Sequence, residues 1–146
     1  MPTFTRRQII QLGTVAALAL QFPSVAFADF LATKPRAVFQ VSDADPAKWN
    51  LTLANVGNAQ EALGKDAAEI EIVAFGPGID MLRKDSPVAA RVAEALHGGV
   101  RIVACQNTMR ARKLTPADML PEIGYVPSGV VEIMQREREG YASLRS

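Results

Sequence analysis

The chain is poor in the residues from which most metal sites and catalytic centres are built: its 146 residues include one cysteine and one histidine. The single cysteine, Cys105, cannot form a disulfide within the chain. The single histidine, His97, makes a poor metal site, and no nucleophile accompanies it in a motif that would form a catalytic triad. The sequence therefore predicts no metal and no cofactor.

An excess of charge of either sign is also missing. The 16 lysines and arginines nearly balance the 15 aspartates and glutamates, so there is no basic stripe for nucleic acid and no polybasic face for an anionic membrane. The segment Gly76-Pro77-Gly78 lacks the spacing of a phosphate-binding loop or a dinucleotide fingerprint. These absences leave a protein or a small molecule as the expected partner.

The first 28 residues resemble an export signal rather than part of a fold. The pair Arg6-Arg7 precedes a weakly apolar stretch at 12–22, and Ala26 and Ala28 form an A-x-A cleavage pattern. We expect a twin-arginine-like signal peptide, cleavage after Ala28 and a periplasmic protein. An ordinary secretion signal or an uncleaved anchor is the alternative, but the apolar stretch is short and interrupted by polar residues, which argues against stable membrane insertion.

The remaining chain alternates strand-like and helix-like segments after a linker at 29–35. We expect one α/β domain at 36–146, with a mostly parallel sheet of about five strands and helices on both faces. The expected strands are 37–41, 69–75, 100–104, 123–126 and an edge strand at 141–144. The expected helices are 46–63, 86–97, 108–113, a turn at 115–118, and 128–138.

Two of these helices carry informative side chains. In the last helix, Val130, Ile133 and Met134 are expected to face the core, and 136–139 to face solvent. The helix at 46–63 has no charge in its middle, and its polar residues suggest either contact with another subunit or an ordinary polar surface. These polar residues are Asn50, Thr52, Asn55, Asn58 and Gln60.

Polar and glycine residues follow several of the expected strands. Because the carboxyl ends of parallel strands meet at one edge of a sheet, we expect them to surround Cys105 there. Glycine amides and the amides after Cys105 would hold an anion, whereas Asp43 and Asp45 are either paired carboxylates or caps. The candidate substrate-binding residues are Asp43, Gly76, Gly78, Gln106, Asn107 and Tyr125.

Cys105 itself ends an apolar run and precedes a polar helix start. A helix N-terminus favours the thiolate, as would Arg110, Arg112 and Lys113 if they fold back towards it. In an oxidising compartment, an unpaired cysteine is a buried inert residue, a link to another chain or a working thiol. The residues alone leave these three alternatives open.

Three strings together resemble the DsrE/DsrF-like (YchN-like) family: 37–50, 72–78 and 103–110, with similarity continuing through 118–127. The resemblance implies a compact α/β domain that assembles as trimers or hexamers. It also implies a role in sulfur relay, because some members carry sulfur as a persulfide on one cysteine, at the position that Cys105 matches. Export departs from the family pattern, because the relay partners of that family work in the cytoplasm.

The expected function is therefore that of a sulfur carrier. Cys105 would receive sulfane sulfur from a donor and pass it to an acceptor thiol, with sulfur donor or acceptor proteins as partners. Two other functions remain open: a non-enzymatic oligomeric binding module with a structural Cys105, and a thiol redox sensor.

Overall fold

A computed structural model describes residues 33–146 and shows one five-stranded sheet, as predicted. The predicted signal peptide and most of the predicted linker lie outside the described residues. All neighbouring strands are parallel, in the order β4-β3-β2-β1-β5. The strands are β1 (Arg36–Val41), β2 (Glu69–Ala74), β3 (Arg101–Cys105), β4 (Gly124–Val126) and β5 (Ala142–Arg145).

Four α-helices and two 3-10 helices connect the strands. The α-helices are α1 (Pro46–Leu63), α2 (Ala89–His97), α3 (Gln106–Ala111) and α4 (Gly129–Arg138), and the 3-10 helices are Gly76–Leu82 and Pro116–Asp118. The first 3-10 helix was not predicted. Helix α3 begins two residues before the predicted start, directly after β3. Within residues 33–146, no helix is long and apolar enough to cross a membrane.

Helix α1 begins as its sequence predicts. The Asp45 side chain accepts a hydrogen bond from the Ala47 N–H at 2.9 Å, and Pro46 occupies the first turn. Asp45 is therefore a helix cap, which leaves Asp43 without a paired carboxylate role.

The polar residues of α1 form an outer face only in part, because several of them have partners within the chain. Thr52 is buried. The Gln60 amide donates to the Gly98 carbonyl oxygen at 2.8 Å, and the Asn55 amide donates to the Ser146 hydroxyl at 3.1 Å. Asn50 contacts Arg91. Asn50 and Asn58 are exposed, and a subunit contact through α1 stays a prediction.

The sheet has two unlike faces. The large face packs against α1, α2 and the first 3-10 helix, and its strand residues include Phe39, Ile72 and Ile102. The small face is covered by α4. Its apolar residues are Val38, Val73, Val103 and Val126.

Helix α4 lies on the small face, and its orientation agrees with the prediction only in part: Glu137, Arg138 and Glu139 are exposed, as predicted. Val130 and Met134 are about half exposed, whereas Glu132 is buried and Arg136 turns towards the sheet. Ile133 is half-buried against the valines, as expected. The prediction for Arg136 failed because Glu71 on the sheet attracts it, and Arg101 on the sheet likewise lies close to Glu132.

Candidate thiol site

Cys105 is the last residue of β3 and immediately precedes α3. Side chains alternate between the faces of a strand, so Cys105 lies on the same face as Val103, the small face. The residue is 5% exposed. Its thiol is therefore enclosed between the carboxyl edge of the sheet and the first residues of α4.

The environment of the thiol favours its ionised form. Burial raises the pKa of the Cys105 thiol, but the Thr108 side chain and the backbone N–H groups of Gly129, Thr108 and Asn107 together lower it more. The net result is a pKa below the ordinary cysteine value. These groups come from the N-termini of α3 and α4, where N–H groups lack helical acceptors.

The thiol does not form a conventional capping hydrogen bond, although Cys105 occupies the cap position of α3. The Asn107 N–H donates to the Pro127 carbonyl oxygen at 3.2 Å, which connects the start of α3 to the segment before α4. The stabilisation of the thiolate is thus divided among several weak donors. A change in any one of them should shift the pKa without abolishing the site.

Gly76 acts on this site through Thr108. The Gly76 N–H donates to the Thr108 hydroxyl oxygen at 2.9 Å, which leaves the hydroxyl hydrogen available for the sulfur of Cys105. Gly76 has a φ of 53°, a conformation that favours glycine. The prediction that the Gly76 amide binds an anion directly is corrected, because that N–H is already bonded.

Gly78 has a packing role. Its N–H donates to the Phe75 carbonyl oxygen at 3.1 Å. A Cβ atom at this position would lie 2.3 Å from the carbonyl oxygen of Val41, so only glycine allows the 3-10 helix to approach the end of β1. The prediction that Gly78 holds negative charge is therefore also corrected.

Gln106 and Asn107 lie beside the thiol and are exposed. The Asn107 side chain accepts a hydrogen bond from Arg110. Arg112 lies 2.9 Å from Asp80 instead of folding back. The groups that lower the thiol pKa are therefore hydrogen-bond donors, and not the cations that the sequence suggested.

Asp43 and Tyr125 do not join the thiol. Asp43 follows β1, two strands away from β3, and its carboxylate lies 3.0 Å from both Lys48 and Arg145, which lower its pKa. Tyr125 pairs with Ala104 across the sheet and packs on the large face, opposite the Cys105 side chain. Burial raises the pKa of Tyr125.

Two residues of the site were missed by the sequence analysis: Thr108 and Gly129. Thr108 was assigned to the predicted helix start, and its hydroxyl was overlooked because the helix begins two residues earlier. Gly129 is the first residue of α4, and the preceding Ser128 makes no side-chain capping bond. The available signal was the predicted helix that follows β4. In a parallel sheet, the start of such a helix lies at the carboxyl edge, where Cys105 also lies.

The cavities of the described chain lie away from the thiol, and the largest, of about 560 Å³, lies between α1 and α2 and includes Gly57, Arg91 and Glu94 in its lining. Within residues 33–146, no group of three or more His, Cys, Asp or Glu side chains is arranged to hold a metal ion. A cavity of about 270 Å³ beside Glu69, Glu71 and Arg101 opens at the amino edge of the sheet, away from the thiol. The candidate site is therefore Cys105 with its donors.

The fold and the site define a single-domain parallel α/β protein with a thiol of lowered pKa at the carboxyl edge of its sheet. The chain belongs to the DsrE/DsrF-like family, whose model matches residues 36–145. That family is linked to sulfur relay. A search of curated proteins found no significant match.

Solved structures confirm the fold. The chain is 37% identical to MTH1491, a protein of unknown function from Methanobacterium thermoautotrophicum, over 77% of this chain and 99% of that one, with a TM-score of 0.73. It is 15% identical to BT1422, a protein of unknown function from Bacteroides thetaiotaomicron, over 76% and 94%, with a TM-score of 0.63. It is 12% identical to the YchN protein of E. coli, over 77% and 99%, with a TM-score of 0.63.

Proposed function

We propose that the protein carries sulfane sulfur as a persulfide on Cys105 and passes it to an acceptor thiol. The observation that supports this most is a thiol pKa that falls although the side chain is 5% exposed. Burial in apolar surroundings raises the pKa of structural cysteines, which are inert. Membership of a family linked to sulfur relay supports the same function.

The reaction balances without an oxidant. The Cys105 thiolate attacks the outer sulfur of a donor persulfide, R–S–SH, so that a new sulfur–sulfur bond forms. The donor sulfur–sulfur bond breaks, R–S⁻ leaves with the electron pair, and the proton stays on the transferred sulfur. An acceptor thiolate then attacks that sulfur, and Cys105 leaves as a thiolate. The donors around Cys105 would stabilise the charge at the start and at the end of this cycle.

Intact-mass measurement tests the proposal. The purified chain is incubated with inorganic polysulfide, desalted and weighed, and Cys105→Ser serves as the control. We expect the wild-type chain to gain the mass of one sulfur atom and to lose it when a small acceptor thiol is added. The Cys105→Ser variant should gain no mass. A wild-type chain that gains no sulfur, or an equal gain in Cys105→Ser, would contradict the proposal.

We also propose that the protein is a homo-oligomer, a trimer or hexamer, as the family resemblance implies. The support is an apolar strip on the outer side of α4, the residues Val130, Val131 and Met134, which are 54%, 49% and 49% exposed. Met134→Glu should lower the mass measured by light scattering. Leu51→Glu is the matched control, because Leu51 lies on α1 and is 50% exposed. This variant should keep the wild-type mass. Equal behaviour of the two variants would remove this support.

We propose that the protein works in the periplasm, because the N-terminal sequence has the features of an export signal. Expression of the full chain in a bacterium, followed by fractionation and intact-mass measurement, tests this. We expect a periplasmic form that begins at Asp29. Retention of the full-length chain in the cytoplasm would contradict both the location and the cleavage site.

A further inference from the structure

A cluster of charges connects α4 to the sheet on the same face as Cys105, and all its members except Arg101 are largely buried. Glu71 on β2 is only 2% exposed in its side chain and lies 3.4 Å from Arg101 on β3. Glu132 on α4 lies 2.9 Å from Arg136, which also contacts Glu71. Arg136 further lies 2.7 Å from Glu139 and 5.3 Å from the centre of the Tyr141 ring. We call Glu71, Arg101, Glu132 and Arg136 the α4 anchor.

Stability alone gives little reason for these charges. Burial raises the pKa of Glu71, which shows that its ionised form is costly at this position. Buried ion pairs often contribute no more stability than apolar residues of similar size. The neighbouring residues of the small face are valines, so an apolar residue at position 71 would suit the surroundings.

What the anchor provides is a defined position for α4. The side of α4 that faces the sheet carries Glu132 and Arg136, while Val130 and Met134 face outwards. Arg136 lies between the carboxylates of Glu71 and Glu132, so a shift of α4 along the sheet would separate buried opposite charges. These ionic contacts hold the helix in place together with the packing of Ile133 against the valines.

The position of α4 matters to the thiol. Gly129, at the start of the helix, comes three residues after Val126, which pairs with Cys105 across the sheet. It packs so closely that a Cβ atom there would lie 3.0 Å from the Cβ of Phe75, and its N–H is one of the groups that lower the pKa of the thiol. Arg136 lies seven residues further along, which is roughly 10 Å in a helix. A rigid helix of this length transmits a shift at Arg136 to the Gly129 N–H.

We propose that Arg136 is a positioning residue: by binding Glu71 and Glu132, it holds α4 where the Gly129 N–H meets the sulfur of Cys105. The inference deepens the proposed function, since it rests on the thiolate being the working form of Cys105. Arg136 itself touches neither the thiol nor a sulfur donor.

The test is the pH dependence of Cys105 alkylation by iodoacetamide in the folded chain. In Arg136→Met we expect the midpoint to rise by about one pH unit, which corresponds to a roughly tenfold lower thiolate fraction near neutral pH. Arg136→Lys should restore the midpoint only in part, because lysine lacks the planar fork. Arg145→Met, which removes an exposed arginine paired with Asp43, is the matched control and should leave the midpoint unchanged.

A double variant separates position from charge. Glu71→Gln with Arg136→Met keeps the net charge of the wild type but still removes the anchor. We expect its midpoint to stay raised; a return to the wild-type midpoint would show a simple charge effect and overturn the inference. An unchanged midpoint in Arg136→Met would overturn it as well.

Folding and sulfur loading are measured separately. Circular dichroism checks that each variant is folded, and Glu132→Gln, which keeps the side-chain shape, replaces Arg136→Met if the latter fails to fold. The same rise of the midpoint is expected there, and its absence would contradict the inference. If the midpoints shift as expected but the wild-type chain gains no sulfur from polysulfide, the proposed function fails while the positioning role of Arg136 stands.

Discussion

The two faces of the sheet are built on different principles. The large face is covered with bulky apolar residues such as Phe39, Ile72 and Ile102, all buried under α1, α2 and the first 3-10 helix. The small face has valines at the carboxyl half, a buried ionic cluster at the amino half, and the thiol at its edge. The main apolar core and the candidate thiol site thus lie on opposite faces of the sheet.

The largest expected effect on stability lies on the large face. Ile72→Ala should lower the free energy of unfolding by about 2–5 kcal/mol, because it leaves a cavity in the main core. The thiol pKa should stay as it is, since Ile72 lies on the other side of the sheet. Urea denaturation and the pH dependence of alkylation measure the two quantities. A clear rise of the thiol pKa in this variant would break the separation between the faces.

A pair of glycines gives a smaller effect with an internal control. Gly78→Ala should destabilise the chain by about 1–3 kcal/mol, because its Cβ would meet the backbone of Val41. Gly57→Ala should stabilise it by about 0.5–1 kcal/mol, since Gly57 lies within α1 and its Cβ would meet nothing within 4 Å. Thermal unfolding distinguishes the two. Equal effects would contradict the close approach of the 3-10 helix to β1.

At the carboxyl edge of the sheet, Thr108 should affect both the thiol and the fold, because its hydroxyl oxygen also accepts the Gly76 N–H. Thr108→Val removes the hydroxyl group that lowers the thiol pKa, so alkylation near neutral pH should slow by a factor of roughly three to ten. Thr108→Ser keeps the hydroxyl and should retain most of the rate. The control is Thr115→Val, which disturbs the cap of the second 3-10 helix and leaves the thiol alone. If Thr108→Val and Thr108→Ser behave alike, the hydroxyl has no part in the site.

The smallest expected effect is a pH dependence of stability. Because the folded state lowers the pKa of Cys105, it binds fewer protons than the unfolded state between the two pKa values. The thiolate therefore stabilises the fold above the unfolded pKa of about 8.5, and this contribution is lost as pH falls through the folded pKa. The wild-type chain should gain stability over Cys105→Ser as pH rises. Urea titrations at several pH values measure this, and an opposite slope would mean that the pKa is raised.

The packing of the large face could be predicted from sequence, because the spacing of apolar residues determines which side of a helix is buried. Trp49, Leu53 and Val56 recur at helical spacing in α1 and are all buried, and Asp45 with Pro46 marks where the helix begins. The strand order along the chain likewise predicted a parallel sheet, since each strand is separated from the next by a helical segment. Local sequence patterns were sufficient to predict the helices and strands that are held mainly by burial of apolar side chains.

The small face could not be predicted in the same way. Hydrophobic spacing placed Val130 and Met134 inwards, but Arg136 meets Glu71, a residue from a strand 65 positions away in the chain. Such a pairing depends on the tertiary fold and has no local signature. The contribution of Gly129 to the thiol was missed for the same reason, whereas the position of Cys105 at a strand end was predicted from its neighbours alone.

The central claim is that the fold promotes ionisation of Cys105 although it buries the side chain. The most direct test is the pH dependence of Cys105 alkylation, compared between the folded chain and the same chain unfolded in urea. The account predicts a lower midpoint in the folded chain, with measurable alkylation of the native protein near neutral pH. A folded midpoint equal to or above the unfolded one, or a native thiol that resists alkylation at every pH, would contradict it.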